Sequence, residues 1–134
     1  MKHRLTIGEK RSFIHKVKKE DIAAFDAETV HQVCSTFSLA KYIEWVSRLF
    51  IIDIKNEDEE GIGIMIQIDH KSPALINQEL VFEASVKSIN NMELICEVAV
   101  TSNQRIIAVA KTGQKLMKKD RIKEIFSSLA DPKI

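Results

Sequence analysis

Residues 35–51 of the sequence read STFSLAKYIEWVSRLFI, and the rest of the chain is best interpreted around this stretch. Its apolar residues cover much more than one stripe of a helix, namely Phe37, Leu39, Ala40, Ile43, Val46, Leu49 and Phe50. A helix that is apolar nearly all round belongs in the interior of a protein. We therefore predict a long buried helix over residues 36–53, with Ser35 or Thr36 capping its start. Glu44 lies in its middle, where a carboxylate is costly unless it is paired or takes part in chemistry.

The composition is that of an ordinary soluble protein and limits the classes of function. The 134 residues fit a single domain, with 45% hydrophobic and 29% charged residues. The net charge of +1 and the absence of aromatic residues among the lysine clusters give little support to nucleic-acid binding. No stretch has the length of a bilayer span or the form of a signal peptide, so we expect a cytoplasmic protein without a membrane partner. Cys34 and Cys96 suggest neither a disulfide framework nor a metal site.

Alternating apolar and polar residues predict the strands. After the polar turn at residues 56–61, four isoleucines alternate with other residues, which predicts a strand with one apolar face made of Ile62, Ile64, Ile66 and Ile68. Similar alternation predicts strands over residues 79–89, 92–101 and 105–117, with turns at Asn90-Asn91 and at Ser102-Asn103-Gln104. A weaker pattern within residues 8–18 predicts a first strand.

The remaining segments complete a single domain over residues 1–134. Residues 19–34 have no regular pattern apart from a possible helical turn near residues 20–25, and we predict that they form a lid over a site. Residues 119–134 form a short amphipathic helix and a tail. The order predicts an α+β hotdog fold, in which an antiparallel sheet of about five strands wraps round one long buried helix. Because so small a sheet cannot cover a helix that is apolar on all sides, we predict a homodimer, with higher order left open.

Three side chains could carry chemistry. Glu44 is either a surface glutamate paired with Lys41 or Arg48, or a carboxylate in an apolar cleft that acts as a base or nucleophile. His70 ends the clearest strand and is either a polar strand terminator or a side chain that reaches into a cleft. Thr36 either caps the helix or positions a substrate. In a continuous helix Thr36 and Glu44 lie ~12 Å apart along the axis, so they bracket a substrate or serve different ends of one site.

The residues 36–45 and 63–70 together resemble the fluoroacetyl-CoA thioesterase-like branch of hotdog thioesterases. In that branch a threonine, a glutamate eight residues later ahead of a tryptophan, and a histidine after the next strand form the catalytic set. A glycine seven residues before the histidine lies against the thioester. This sequence matches all four spacings, with Thr36, Glu44, Gly63 and His70. The similarity of pattern extends over about residues 8–118.

This resemblance implies hydrolysis of an acyl-CoA thioester without a metal or a cofactor other than the CoA of the substrate. Glu44 would attack the thioester carbonyl or activate a water, His70 would act as general acid and base, Thr36 would hydrogen-bond within the site, and the Gly63 backbone would approach the carbonyl. Ala27 and Val30 align with phenylalanines of the fluoroacetyl-specific member, so the resemblance favours another small or medium acyl group. Candidates to bind the CoA phosphates are Lys41, Lys71, Arg105 and Lys111.

Two other functions fit the same features. A hotdog dehydratase or hydratase also uses a histidine with a helix carboxylate, but abstracts a proton from the acyl chain. The segment after His70 lacks the extended proline- and glycine-rich loop of those enzymes. A protein that binds acyl-CoA or another small ligand without catalysis would keep the fold, although the presence of all four site residues argues against it.

Overall fold

The computed structural model describes residues 1–25 and 28–130, and for residues 24, 25 and 28–30 only the backbone is described. In this part of the chain, seven strands, two α-helices and a 3₁₀ turn follow one another: β1 (Lys10–Lys16), the 3₁₀ turn (Lys19–Asp21), β2 (Ile22–Phe25), β3 (Glu28–Cys34), α1 (Thr36–Ile54), β4 (Glu59–His70), β5 (Glu79–Asn90), β6 (Glu93–Ser102), β7 (Arg105–Lys118) and α2 (Lys119–Leu129). The predicted long helix, the five predicted strands and the C-terminal helix are therefore confirmed.

Five of the strands form one antiparallel sheet in the order β1-β5-β6-β7-β4. Strands β5, β6 and β7 are joined by two successive hairpins. Strand β4 follows α1, which lies across the sheet, and pairs with β7 at the far edge. Strands β1 and β4 are thus the two edges of the sheet. The prediction of a five-stranded antiparallel sheet with one long helix is confirmed.

The core lies between α1 and one face of the sheet, which we call the inner face. Helix α1 contributes the fully buried Leu39, Ile43, Val46 and Phe50. The predicted alternation places every second residue of β5 and β6 opposite the helix, where Leu80, Phe82, Ala84, Val86, Leu94, Cys96, Val98 and Val100 are all buried. Each large side chain buried in this way contributes about 1.5–3 kcal/mol relative to an exposed one. The core therefore fixes the position of α1 on the sheet.

The opposite side of α1 is exposed in the single chain, which corrects the prediction of a helix buried on all sides. Phe37 is 84% exposed and Trp45 is 44% exposed, and Ile52 lies on the same side. Glu44 is also on this side, so its carboxylate lies at the surface of the chain and not in the core. An apolar stripe on one side of a helix that faces no other part of its own chain is a surface for contacts with something else.

Residues 19–34, predicted to be irregular, form the 3₁₀ turn and a separate two-stranded sheet of β2 and β3. The β2–β3 ladder contains two register shifts, between Ile22 and Ala23 and between Ala23 and Ala24. Such shifts erase the alternation from which a strand is predicted. Ala27 lies outside the described residues, as does the side chain of Val30, and the role of this hairpin as a lid stays a prediction.

Strand β4 contains a β-bulge that the isoleucine pattern did not predict. Gly63 pairs with Gln114 of β7, whereas Met65 pairs with the adjacent Gly113, so Ile64 is the extra residue. An extra residue moves every later side chain of the strand to the other face. The prediction of one continuous isoleucine face is therefore wrong.

The two halves of the isoleucine run face different sides. Directly paired residues of an antiparallel ladder point to the same face of the sheet. Ile66 and Ile68 pair with the buried Thr112 and Ala110 of β7 and thus lie on the inner face. Ile64, the extra residue at the shift, is 47% exposed.

Helix α2 extends from the end of β7, and none of its residues is buried. Its apolar Phe126 and Leu129 are 61% and 77% exposed. Among the described residues, no helix is both long enough and apolar enough to cross a membrane.

Candidate active site

The Thr36 hydroxyl and the His70 ring are hydrogen-bonded to each other, with 2.9 Å between Oγ1 and Nδ1. Thr36 is available for this contact because Ser35, not Thr36, caps α1: the Ser35 hydroxyl accepts a hydrogen bond from the Ser38 backbone N–H at 3.0 Å. The other ring nitrogen of His70, Nε2, is buried and has no partner among the described residues. The pair thus presents an imidazole with one nitrogen oriented by Thr36 and the other without a hydrogen-bond partner in the described part of the chain.

The Glu44 carboxylate lies against Gly63 of β4. A Cβ added to Gly63 would stand 3.2 Å from Glu44 Oε1, with no other group within 4 Å. Glu44 forms no hydrogen bond or ion pair with any described residue. Arg48, the partner expected for a surface glutamate, instead pairs with Glu60 at 3.0 Å. The structure therefore does not support the interpretation of Glu44 as half of a surface salt bridge.

Glu44 and Gly63 line an open groove of about 270 Å³ between α1 and β4, together with Lys41, Trp45, Arg48, Gly61 and Gln114. Gln114 was missed by the sequence analysis. The available signal was a polar residue at an inward-facing position of β7, but its place opposite Gly63 depends on the register between β7 and β4. The groove combines a carboxylate, a carboxamide, cationic side chains and the flat ring of a tryptophan over bare glycine backbone.

The bulge in β4 brings Gly63 and His70 to the same face of the sheet. Seven residues separate them, and in a regular strand an odd separation places two residues on opposite faces. The extra residue Ile64 changes this and places both residues on the inner face. Gly63 pairs with the buried Gln114, and His70 pairs with the buried Ala108. Glycine and histidine therefore both face α1.

The four predicted residues form two pairs, which do not meet in one chain. Thr36 and Glu44 are separated by ~12 Å of helix rise, and Gly63 and His70 by ~23 Å of strand. The structure brings Thr36 to His70 and Glu44 to Gly63. A single chain thus holds two half-sites at opposite ends of β4.

The four candidates for binding phosphate differ in their surroundings. Arg105 is committed to the loop after β4, because it donates hydrogen bonds to Ser72 Oγ at 2.8 Å and to the Pro73 carbonyl at 2.6 Å. Lys71 pairs with Asp69 at 2.7 Å, and Lys111 lines a separate groove on the outer face of the sheet. Lys41 alone among the four lines the groove of Glu44.

A buried carboxylate anchors the β2–β3 hairpin beside the site. Asp21 is 2% exposed and accepts hydrogen bonds from Tyr42 of α1 at 2.7 Å and from the Lys18 backbone N–H at 2.9 Å, and it lies 2.7 Å from His15 Nε2. Burial by itself would raise the pKa of Asp21, but the hydrogen bonds from His15, Lys18 and Tyr42 outweigh burial and lower it. The cluster ties the start of the hairpin to the turn of α1 next to Glu44. The described residues contain no group of three or more His, Cys, Asp or Glu side chains that could hold a metal ion.

Solved structures with the same fold are hotdog proteins. A hypothetical protein of Thermus thermophilus, described as a thioesterase superfamily member, superposes with a TM-score of 0.88 at 24% identity over 94% of this chain and 93% of that chain. A hot-dog-like protein from Thermanaerovibrio acidaminovorans gives 0.85 at 13% identity over 93% of each chain. The fluoroacetyl-CoA thioesterase FlK gives 0.85 at 12% identity over 96% of this chain and all (100%) of that chain. The predicted hotdog fold is confirmed.

The family follows from sequence. The profile of the fluoroacetyl-CoA-specific thioesterase family matches residues 17–120. The chain belongs to this family, as the spacing of Thr36, Glu44, Gly63 and His70 predicts. No curated protein sequence matches the chain.

Proposed function

We propose that this protein hydrolyses acyl-CoA thioesters with small or medium acyl groups. The observation that carries the proposal is the unpaired Glu44 carboxylate lying against the bare backbone of Gly63. Membership of a thioesterase family supports it. We assign catalysis to Glu44, His70 and Thr36, and place the thioester carbonyl over Gly63.

The chemistry suits these groups. Glu44 either attacks the carbonyl carbon, giving a mixed anhydride that a water then hydrolyses, or removes a proton from a water that attacks directly. In both routes a C–O bond forms at the carbonyl carbon, the C–S bond breaks, and the acyl group leaves as a carboxylic acid. His70 transfers a proton to the departing CoA thiolate, while the Thr36 hydroxyl orients the ring through Nδ1. A thiolate is a good leaving group, so a carboxylate and an imidazole suffice.

A homodimer completes the site in this proposal. Glu44 and His70 lie too far apart to act together in one chain, and β4 is an open sheet edge. Pairing β4 with its own copy across a twofold axis would continue the sheet and cover the exposed Trp45 and Ile66 beside it.

One register of this pairing keeps the faces of β4 matched and also brings the two pairs of site residues together. A twofold axis at Gln67 pairs inner residues with inner residues, because Ile66 then lies opposite Ile68 of the partner subunit. Beyond the bulge the pairing shifts by one residue, because Ile64 is skipped as it is in the pairing with β7. Gly63 of one subunit then lies opposite His70 of the partner subunit. Each dimer would then contain two sites, each with Glu44 from one chain and His70 from the other.

The substrate is inferred from the same groove. Structures of FlK mutants contain fluoroacetate and CoA, or acetyl-CoA. By analogy we propose that CoA binds here as part of the substrate, with Lys41 contacting its phosphates. The enzyme is proposed to act in the cytoplasm.

Thiol release from a panel of acyl-CoAs tests the reaction. Glu44→Ala and His70→Ala should each lower kcat by about 10²- to 10⁴-fold, since each removes a general acid or base. Hydrolysis that survives both substitutions would disprove the site. Formation of an enoyl product would instead identify a dehydratase, and ligand-dependent thermal stabilisation without thiol release would identify a binding protein.

Mixing the two inactive variants tests the shared site. Glu44→Ala and His70→Ala homodimers are unfolded and refolded together, so that half of the dimers are mixed. A mixed dimer has one intact site and one doubly damaged site, so activity should recover to about a quarter of the wild-type value. If each site belonged to one chain, every site would carry a lesion and no activity would return.

A further inference from the structure

Gln114 is a buried polar side chain whose structural role is not apparent. It is 8% exposed and sits on the inner face of β7. Its carboxamide forms no hydrogen bond with any described residue. Neither amide atom is fully buried, so both are accessible from the groove that Gln114 lines, where a water or a ligand can pair with them.

The position of Gln114 places its carboxamide beside the proposed reaction centre. Gln114 is the direct partner of Gly63 in the β4–β7 ladder, and Cβ atoms of directly opposed residues lie about 4.5–5.5 Å apart in such a ladder. Its Oε1 is 3.5 Å from the Cβ position of Gly61, so the side chain extends along the glycine backbone. Gln114 and Glu44 line the same groove and are not hydrogen-bonded to each other. The groove therefore has two polar groups along its glycine wall, with Gln114 beside Gly61 and Glu44 beside Gly63.

We propose that Gln114 is a substrate-binding residue whose carboxamide N–H donates a hydrogen bond to the thioester carbonyl oxygen. This inference rests on the proposed function. The Glu44 carboxylate has no proton to donate to that oxygen when it acts as base or nucleophile. The neutral amide of Gln114 can donate the hydrogen bond, and it does not form an ion pair that would neutralise Glu44. The same hydrogen bond strengthens as the oxygen becomes negative in the transition state. Gln114 thus polarises the carbonyl that Glu44 or its water attacks.

The substitution Gln114→Met separates this role from a structural one. Methionine has a similar volume and no hydrogen-bond donor, and Gln114 forms no hydrogen bond with a described residue that the substitution would break. The variant should therefore be about as stable as the wild type in urea unfolding, while kcat falls by about 10²- to 10³-fold. A residue kept for structure would instead lose stability. Leu116→Met is the matched control, because Leu116 is buried two positions further along the same face of β7 and outside the groove.

Binding of two inert probes tests the inference independently of hydrolysis. One probe is a methyl ketone in which a methylene replaces the sulfur of acetyl-CoA, and the other is S-ethyl-CoA, which lacks the carbonyl oxygen. Calorimetry should show that the wild type and Leu116→Met prefer the ketone by roughly three- to tenfold, and that Gln114→Met loses this preference. If Gln114→Met keeps the preference, or the wild type shows none, the inference is wrong whether or not thioesters are hydrolysed. If the preference behaves as expected but no thioester is cleaved, the proposed function fails and carbonyl binding by Gln114 stands.

Discussion

At the scale of single residues, two glycines of β4 that look alike in sequence have different roles. A Cβ on Gly61 would stand 2.8 Å from Ile51 Cγ2, so Gly61 allows α1 to pack closely on the sheet. A Cβ on Gly63 would meet only Glu44 Oε1, at 3.2 Å. The first glycine allows close packing, and under the proposed function the second leaves space for a substrate.

The substitutions Gly61→Ala and Gly63→Ala should separate these roles. Gly61→Ala should destabilise the fold by about 1–3 kcal/mol, because the added methyl overpacks the contact with Ile51. Gly63→Ala should leave stability nearly unchanged and lower kcat/KM by at least about tenfold, since it displaces the Glu44 carboxylate and fills the place of the thioester. Urea unfolding and thiol-release kinetics on both variants measure the two effects. Equal loss of stability in both would contradict the assignment.

At the scale of secondary structure elements, the hairpin of β2 and β3 is held to α1 by a few polar contacts. Asp21 is the centre of these contacts, with His15, Tyr42 and the Lys18 backbone around it. Tyr42 lies two residues before Glu44, so the same turn of α1 carries the hairpin anchor and the proposed catalytic carboxylate.

We expect Asp21→Asn to lower the free energy of unfolding at neutral pH by about 1–3 kcal/mol, because buried hydrogen-bond donors lose a charged acceptor. The folded-state pKa of Asp21 is lowered from the ordinary value of 3.8. A lowered pKa stabilises the fold above that value, and the stabilisation is lost as the pH falls through the folded-state pKa. The stability difference between the wild type and Asp21→Asn should therefore shrink below about pH 4.

Glu20→Gln is the control for this measurement. It removes the same charge from the same turn, but the Glu20 side chain is exposed and forms no hydrogen bond with a described residue. Its stability should follow the wild type at all pH values. A difference that is constant between pH 3 and pH 7 for Asp21→Asn would show that its ionisation does not stabilise the fold.

At the scale of the whole molecule, one edge of the main sheet and the adjoining side of α1 have no partner in the described part of the chain. Strand β4 is an unpaired edge, and exposed apolar residues of α1 and β4 lie beside it. Open apolar edges are sites of strand pairing between chains. Under the proposed function, such pairing would bring Glu44 and Gly63 of one chain to Thr36 and His70 of the other.

Disruption of this edge should abolish activity together with dimerisation. Ile66→Lys places like charges near the proposed twofold axis, so sedimentation should show a monomer and thiol release should fall to near background. Ile14→Lys is the matched control, because Ile14 is 62% exposed on β1, the opposite edge of the same sheet. A monomeric Ile66→Lys variant with full activity would show that one chain contains a complete site.

The sequence by itself predicted α1, α2 and the five strands of the main sheet, and its resemblance to a known family supplied four candidate site residues. Alternation fixes the faces of β5 and β6, and apolar spacing fixes α1, because these patterns depend only on local periodicity and burial. Spacing along the chain also identified Thr36, Glu44, Gly63 and His70. Only the tertiary structure decided their grouping, because the bulge at Ile64 and the pairing of β4 with β7 are non-local. The same register brought Gln114 beside Gly63, and the packing of α1 on one face of the sheet placed Glu44 at the surface. These depend on contacts between distant parts of the chain, which no local pattern records.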